Sequence, residues 1–353
     1  MMEFGLKWLA FEITPRCNLN CIHCRTNASM NLKDVLSFED ITKTIDEISK
    51  EFKPVVVLTG GEPLLRDDVF EIAAYIKGKG MRVGLATNGT LVDKNTAKRI
   101  KEHFDIVSLS LDGSTFEVHD NFRQVKGAFD AVVKAAKNLK EAGVEFIINS
   151  SFTKRNQHDI ENTYKLAKSL GAKAWYMFMI VPTGRAEEIF NELIDKKDYQ
   201  DILRWHFYME LKEKDILVRP TCAPEYYALV DIESKKASVD FKRRTLKFST
   251  GGAKGCVAGQ LIAFIGYDGS IKPCSYFLRT AGNILTDGFL NVWHNSEIFK
   301  NLRDFSLYEK CSKCRYVNVC GGCRARADAY FGDYLALDPY CFVEVPNYEN
   351  KRL

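Results

Sequence analysis

The sequence predicts an α/β protein: a partial (β/α)6, TIM-like barrel followed by a small C-terminal cysteine-rich domain. Three observations carry that expectation. Short β-branched or apolar runs alternate with longer segments of helical period from the first strand to about residue 210. The eleven cysteines fall in two groups, three at 17–24 and eight between 222 and 341, with none from 25 to 221. The ends of the predicted strands carry glycines and small polar residues, as a barrel with its chemistry at the C-terminal ends of the strands would.

The predicted strands are Leu9 to Ile13, Val55 to Leu58, Arg82 to Ala86, Ile106 to Leu111, Glu145 to Ser150 and Lys173 to Ile180. Helices are expected over 38–51, 68–78, 92–103, 127–142, 158–169 and 198–213, where apolar residues recur at i, i+3 and i+4. Six successive βα units imply a parallel sheet with right-handed crossovers. Six are too few to close an eight-stranded barrel, so the sheet is expected to stay open. The expected division is a core at 1–215, a bridging region at 216–255 and the cysteine-rich domain at 256–353. Within the last, a hairpin from Ile262 to Ile271 turning at Asp268-Gly269 is expected to bring Cys256 and Cys274 together.

Composition narrows the function. The chain has 353 residues, 46% of them apolar, and a formal net charge of +4 without a dense charge run. That balance describes an ordinary surface and gives no reason to expect nucleic acid as a partner. No stretch reaches about 18 uninterrupted apolar residues and no export signal is visible, so a cytoplasmic enzyme without membrane spans is expected. Cytoplasmic thiols stay reduced, which makes the cysteines metal ligands rather than disulfides.

Cys17, Cys21 and Cys24 form a C-x3-C-x2-C loop in ITPRCNLNCIHCRT, directly after the first strand. Three thiolates on one tight loop can hold three corners of a 4Fe–4S cluster and leave the fourth iron open, whereas such clusters usually take four cysteines. The alternative is a zinc loop completed by His23 or by a distant ligand. After the second strand comes Thr59-Gly60-Gly61-Glu62-Pro63, whose paired glycines expose backbone and allow close approach of a ligand.

These motifs resemble the signature of the radical S-adenosylmethionine (SAM) enzymes, in which SAM chelates the open iron. The resemblance implies that Gly60, Gly61 and Glu62 hold the SAM amino group and that His23 packs near the adenine. It further implies that Asn88, Ser110 and Asp112 line the pocket, with Ser110 and Asp112 reaching into it. Arg123 and Asn149 would meet the SAM carboxylate and ribose, and Val181 would lie against the adenine. Helix-capping turns are the plain alternative for the polar residues among them. His119 reads as a surface residue.

The later cysteines, Cys256, Cys274, Cys311, Cys314, Cys320, Cys323 and Cys341, resemble the seven-cysteine SPASM extension of those enzymes, which carries auxiliary 4Fe–4S clusters. That pattern usually has three residues where this chain has two, between Cys320 and Cys323. By analogy Cys311, Cys314, Cys320 and Cys341 hold a distal cluster, and Cys256, Cys274 and Cys323 a proximal one. Cys222 lies outside the seven. It completes the proximal cluster, or that cluster keeps an open iron, or the thiol is buried and inert. A zinc ribbon is the alternative for the paired C-x2-C motifs. Eleven cysteines, however, match one three-thiol site and two four-thiol sites.

Together the motifs imply reductive cleavage of SAM to a 5′-deoxyadenosyl radical, hydrogen abstraction from substrate, and net oxidation with the auxiliary clusters receiving an electron. A ferredoxin or flavodoxin is the expected electron donor. The segments at 181–185, 221–227, 255–259 and 320–327 resemble the radical SAM proteins of alternative haem and haem-d biosynthesis. Those proteins remove acetate groups from didecarboxysiroheme or propionate carboxylates from iron coproporphyrin. A tetrapyrrole with several carboxylates would want cations, and Arg185, Arg219, Arg279, Arg324 and Arg326 lie near the cysteine motifs. Glu225 stands where those relatives often have histidine or glutamine. The rival readings are a peptide cross-linking maturase and a maturase of tungsten or molybdenum enzymes. The first barrel strand near residue 8 leaves little room for the N-terminal peptide-binding domain that many peptide maturases carry.

Overall fold

The computed structural model describes residues 4–245 and 255–345. All six expected strands form: β1 (Trp8–Thr14), β2 (Val55–Gly60), β3 (Arg82–Thr87), β4 (Ile106–Ser110), β5 (Phe146–Phe152) and β6 (Ala174–Met179). They pair in parallel in chain order. Between and after them run α1 (Phe38–Ser49), α2 (Val69–Gly78), α3 (Lys94–His103), α4 (Phe116–Arg123), α5 (Ala128–Glu141), α6 (Ile160–Leu170) and α7 (Lys196–Lys212). The short α4 is an addition to the expected pattern.

The two-residue alternation of the strands divides the molecule. On one face Leu9, Phe11 and Ile13 join Val56, Leu58, Val83 and Leu85 in a single apolar cluster with Ile41, Ile45 and Ile48 of α1 and Ile72 and Ile76 of α2. Each fully buried aliphatic side chain there contributes about 1.5–3 kcal/mol. The intervening positions, among them Ala10, Val57, Ser108, Ser110, Ile147, Asn149 and Tyr176, face an interior cavity. Local signals fix the helix starts: Ser37 and Asp40 form a reciprocal capping box at α1, and the Asp195 carboxylate accepts from two backbone N–H groups at α7.

Two features extend the sheet beyond six strands. β7 (Leu217–Thr221) pairs in parallel with β6 and is followed by α8 (Glu225–Ala237), so part of the expected bridging region continues the βα alternation. Residues 246–254 of that region lie outside the described residues. Pro220 is tolerated because β7 is the edge of the sheet, where a missing N–H leaves no ladder partner unpaired. At the other side β8 (Ile262–Ile265) and β9 (Ser270–Lys272) form the expected hairpin, but β8 also pairs in parallel with β1. With β10 (Gly282–Asn283) the order becomes β10-β9-β8-β1-β2-β3-β4-β5-β6-β7.

The C-terminal region is therefore built onto the barrel's own sheet. It adds α9 (Phe289–Asn295), α10 (Glu297–Arg303) and α11 (Arg324–Phe331). The Glu47 carboxylate of α1 accepts from the N–H groups of Phe289 and Leu290 at 3.0 and 2.9 Å, which pins α9 against the barrel. No helix among the described residues is long and apolar enough to cross a membrane.

Candidate active site

The cysteine loop leaves the end of β1 and is held by hydrogen bonds from the end of β2, the end of α4 and the segment after β6. Gly61 and Glu62 donate their N–H groups to Thr14 O at 2.8 Å and Arg16 O at 2.7 Å. Asn20 and Ile22 donate to the carbonyls of Arg123 and Phe122 at the end of α4. Arg185 donates from its backbone to Cys24 O at 2.9 Å, from Nε to Cys21 O at 2.8 Å and from Nη1 to Ala28 O at 3.2 Å. Arg185 is thus spent on the loop and is not a free cation for a substrate.

The same contacts explain two glycines. A Cβ on Gly61 would stand 2.1 Å from Arg16 O and 2.9 Å from Cys17 Cβ, and one on Gly184 would stand 2.5 Å from Cys24 O. The paired glycines were expected to admit a ligand. At Gly61 the missing side chain admits the cysteine loop itself, although Gly60 and Gly61 also border the cavity.

Several expected pocket residues stand behind the wall. Glu62 is fully buried; its carboxylate accepts from Thr87 Oγ1 and Asn88 N at 2.8 Å and from Leu64 N at 3.1 Å. Burial pushes its pKa up to about 7 against those hydrogen bonds. Asp112, expected to reach into the pocket, is instead buried and paired with Arg123 Nη2 at 2.6 Å, while its Oδ1 accepts from Ser151 N. Burial raises its pKa, opposed by Arg123. Val181 also misses the cavity: it packs among Phe277, Leu302 and Cys323. His119 is buried rather than exposed, and its Nδ1 accepts from Asp112 N at 3.0 Å.

The remaining expected residues do face the cavity, which measures about 560 Å3, within the range of cofactor sites. Cys17, Cys21, Cys24, His23, Asn88, Ser110, Arg123 and Asn149 all lie on its wall. Asn88 Nδ2 donates to Asn18 Oδ1 at 2.9 Å and lies 3.9 Å from Cys17 Sγ; Arg123 Nη1 lies 3.5 Å from Cys21 Sγ. Burial opposes the charge of Arg123, but Asp112 and Cys21 hold it firmly protonated. The His23 ring packs 4.5 Å from Phe122, and burial drives its pKa well below the usual value, so it is neutral.

Cys222, Cys256, Cys274 and Cys323 line the same cavity from the C-terminal side. Cys311, Cys314, Cys320 and Cys341 line a second, smaller cavity together with Glu225. Cys222 follows β7 with φ 57°, a left-handed conformation rare outside glycine, and Arg326 Nη1 holds its carbonyl at 3.0 Å. All eleven thiols are free. Among the described residues no group of three or more His, Cys, Asp or Glu side chains is gathered as around a single metal ion. The donor sets nevertheless suit iron–sulfur clusters: each wall offers thiols, and N–H groups of Leu19, Tyr316 and Gly322 point at Cys17, Cys314 and Cys320 Sγ at 3.4–3.5 Å.

Sequence reasoning also missed residues that shape the cavity. Arg25, next to Cys24, pairs with buried Glu12 at 2.6 Å and lies over the Phe264 ring. Tyr176 and Tyr227 form the wall toward β6 and β7 together with Arg219, one of the five arginines named from the sequence. The period-2 alternation of β6 could have marked Tyr176 as inward-facing, whereas the inward direction of Arg219 shows only once β7 is known. Arg279, Arg324 and Arg326 point elsewhere: to Asp328, to backbone carbonyls, and to Asp338 and Glu225.

Comparison with known proteins agrees with this layout. Residues 11–167 match the Radical SAM superfamily and residues 256–315 the SPASM iron–sulfur cluster-binding domain. A protein of Methanosarcina barkeri named AdoMet-dependent heme synthase is 41% identical over 336 residues, covering 94% of this chain and 95% of its own. One of the same name from Nitratidesulfovibrio vulgaris is 36% identical over 338 residues, covering 95% and 92%. The crystal structure of Streptococcus suis SuiB bound to precursor peptide SuiA superimposes with a TM-score of 0.75 at 18% identity, over 96% of this chain and 76% of that one. At that identity the likeness carries the fold alone.

Proposed function

The chain belongs to the radical SAM enzymes that carry a SPASM domain, and from that premise we propose that it forms haem by oxidative decarboxylation of iron coproporphyrin propionates. Support comes from its 41% identity, over nearly the full length of both chains, to a protein named AdoMet-dependent heme synthase. The observation that carries the chemistry is that Cys17, Cys21 and Cys24 share one cavity with Cys222, Cys256, Cys274 and Cys323. A substrate in that cavity lies between a radical source and an electron acceptor.

When bound, the first cluster with SAM supplies a 5′-deoxyadenosyl radical, and the auxiliary clusters supply an electron acceptor. A propionate that loses a hydrogen atom from the carbon adjoining the ring, then CO2 and one electron, becomes a vinyl group. The protein's part is geometry. Cys17, Cys21 and Cys24 are assigned to the SAM-binding cluster on a loop fixed by Gly61, Glu62, Phe122, Arg123 and Arg185. Cys222, Cys256, Cys274 and Cys323 are assigned to a proximal auxiliary cluster, and Cys311, Cys314, Cys320 and Cys341 to a distal one. Gly60, Gly61, His23, Asn88, Ser110, Arg123 and Asn149 are assigned to the SAM pocket, with Glu62 and Asp112 supporting it from behind. Val181 reaches it only through its neighbours. A cytoplasmic ferredoxin or flavodoxin is the electron donor this scheme requires.

The test is anaerobic turnover of the reconstituted enzyme with dithionite and SAM, comparing no substrate, iron coproporphyrin and didecarboxysiroheme. Expected is 5′-deoxyadenosine formation stimulated by iron coproporphyrin, with loss of CO2 and two hydrogens per side chain by mass spectrometry. Conversion of didecarboxysiroheme instead would move the assignment to acetate removal. Cleavage indifferent to both tetrapyrroles would refute the haem reading and favour a peptide or a metal-cofactor enzyme as substrate.

A further inference from the structure

Three arginines border the main cavity: Arg25, Arg123 and Arg219. Two are neutralised within the protein, Arg25 by Glu12 at 2.6 Å and Arg123 by Asp112 at 2.6 Å. Arg219 makes no ion pair among the described residues. Its Nη2 donates to Arg244 O at 2.9 Å, and its Nε is buried without a hydrogen-bond partner among the described residues. Arg219 is half-buried on the cavity wall, and a guanidinium there without a counter-charge can take one from a ligand.

The surroundings define the ligand. Arg219 is the register partner of Tyr176, which in turn pairs with Asn149, which pairs with Ser110. These four form one inward-facing layer across β4 to β7. Tyr176 lines the cavity beside Arg219, and Asn149 Oδ1 is buried without a hydrogen-bond partner among the described residues. Tyr227, at the start of α8, borders the same wall. A guanidinium that has committed Nη2 to a carbonyl keeps other N–H groups for a carboxylate, and tyrosines on the same wall can add hydroxyl donors.

We propose that Arg219, together with Tyr176 and Tyr227, binds a carboxylate of the substrate that is retained through the reaction. This rests on the reading above that the substrate is a polycarboxylate tetrapyrrole. The bound group is a retained propionate because departure as neutral CO2 gives up the charge that a bidentate cation stabilises. Arg219 is therefore an anchor that sets which side chain meets the radical carbon.

The experiment is anaerobic titration of the reconstituted holoenzyme with iron coproporphyrin III and with its tetramethyl ester, followed by the porphyrin absorbance, for wild type, Arg219→Gln, Arg219→Lys and Tyr176→Phe. SAM affinity is measured alongside. Arg219→Gln is expected to weaken binding of the free acid by about 10- to 100-fold. Arg219→Lys should recover part of that loss, and Tyr176→Phe should cost about 3- to 10-fold. The ester, weak with wild type, should bind no more weakly to Arg219→Gln, and SAM affinity should be unchanged. Equal free-acid affinity in wild type and Arg219→Gln overturns the proposal, as does a loss of SAM affinity in place of porphyrin affinity. Should Arg219→Gln not fold, wild-type affinity in Tyr176→Phe overturns it. If wild type binds no iron coproporphyrin at all, the functional reading itself fails, and this assignment with it.

Discussion

Arg185 reaches back across the barrel mouth so that its Nε donates to the Cys21 carbonyl at 2.8 Å, 164 residues earlier in the chain. The segment after β6 thereby closes the cysteine loop that begins after β1. Removing the side chain leaves the Cys21 and Ala28 carbonyls without their partners, at a cost of about 1–3 kcal/mol each where water cannot replace it. Arg185→Ala is expected to lower iron retention and to cut SAM cleavage about 10-fold or more. Anaerobic iron analysis and 5′-deoxyadenosine yield would check this, and wild-type values in both would contradict the clamp.

Gly61 tests the same loop by steric means. A methyl group there would fall 2.1 Å from Arg16 O, so Gly61→Ala must displace either β2 or the loop. SAM cleavage is expected to fall at least as far as in Arg185→Ala. Far-ultraviolet circular dichroism should stay near wild type, since the sheet core lies on the other face of the strands.

Cys222 and Cys314 should separate cleavage from turnover. Cys222 faces the main cavity with Cys256, Cys274 and Cys323, whereas Cys314 lies in the smaller cavity. Alanine at either position is expected to lower iron by about one cluster's share and abolish product while uncoupled SAM cleavage continues. Cys21→Ala should abolish cleavage itself. Full product formation by Cys222→Ala would return that thiol to an inert packing role.

Acid stability should depend on His206 of α7. Burial pulls its pKa down to about 3; the Val218 backbone partly offsets this, and the nearby Arg243 and Arg219 cations lower it further. A folded pKa below the unfolded value of about 6.5 leaves this residue's contribution intact above pH 6.5 and erodes it as pH falls toward 3. The loss is about 1.4 kcal/mol per pH unit within that window. The drop in unfolding temperature between pH 7.5 and 5.5 should accordingly be smaller in His206→Phe. An identical drop would show that the imidazole titrates elsewhere.

What the sequence made legible was whatever local pattern encodes. β1 to β6 follow from β-branched runs, the helices from their apolar period, and the hairpin at Asp268-Gly269 from its turn chemistry. β7 escaped because Pro220 argues against a strand unless that strand is known to be an edge. The pairing of Ile262–Ile265 with β1 escaped because register between segments 250 residues apart leaves no local trace. In the site, spacing announced which cysteines to consider, but not the direction of polar side chains. Asp112 and Glu62 read as pocket residues, and their carboxylates turned out to be consumed behind the wall by Arg123, Ser151, Thr87 and Asn88. Likewise five arginines near the cysteines were indistinguishable in sequence, and only packing separated Arg219 from Arg185, Arg279, Arg324 and Arg326.

The most direct test of the central claim is the fate of one hydrogen. Iron coproporphyrin deuterated at the propionate carbon adjoining the ring would be turned over anaerobically with SAM, and the 5′-deoxyadenosine analysed by mass spectrometry. The account predicts one deuterium in each 5′-deoxyadenosine formed with product, and a vinyl group on the porphyrin. 5′-Deoxyadenosine free of deuterium, with the porphyrin unchanged, would contradict it.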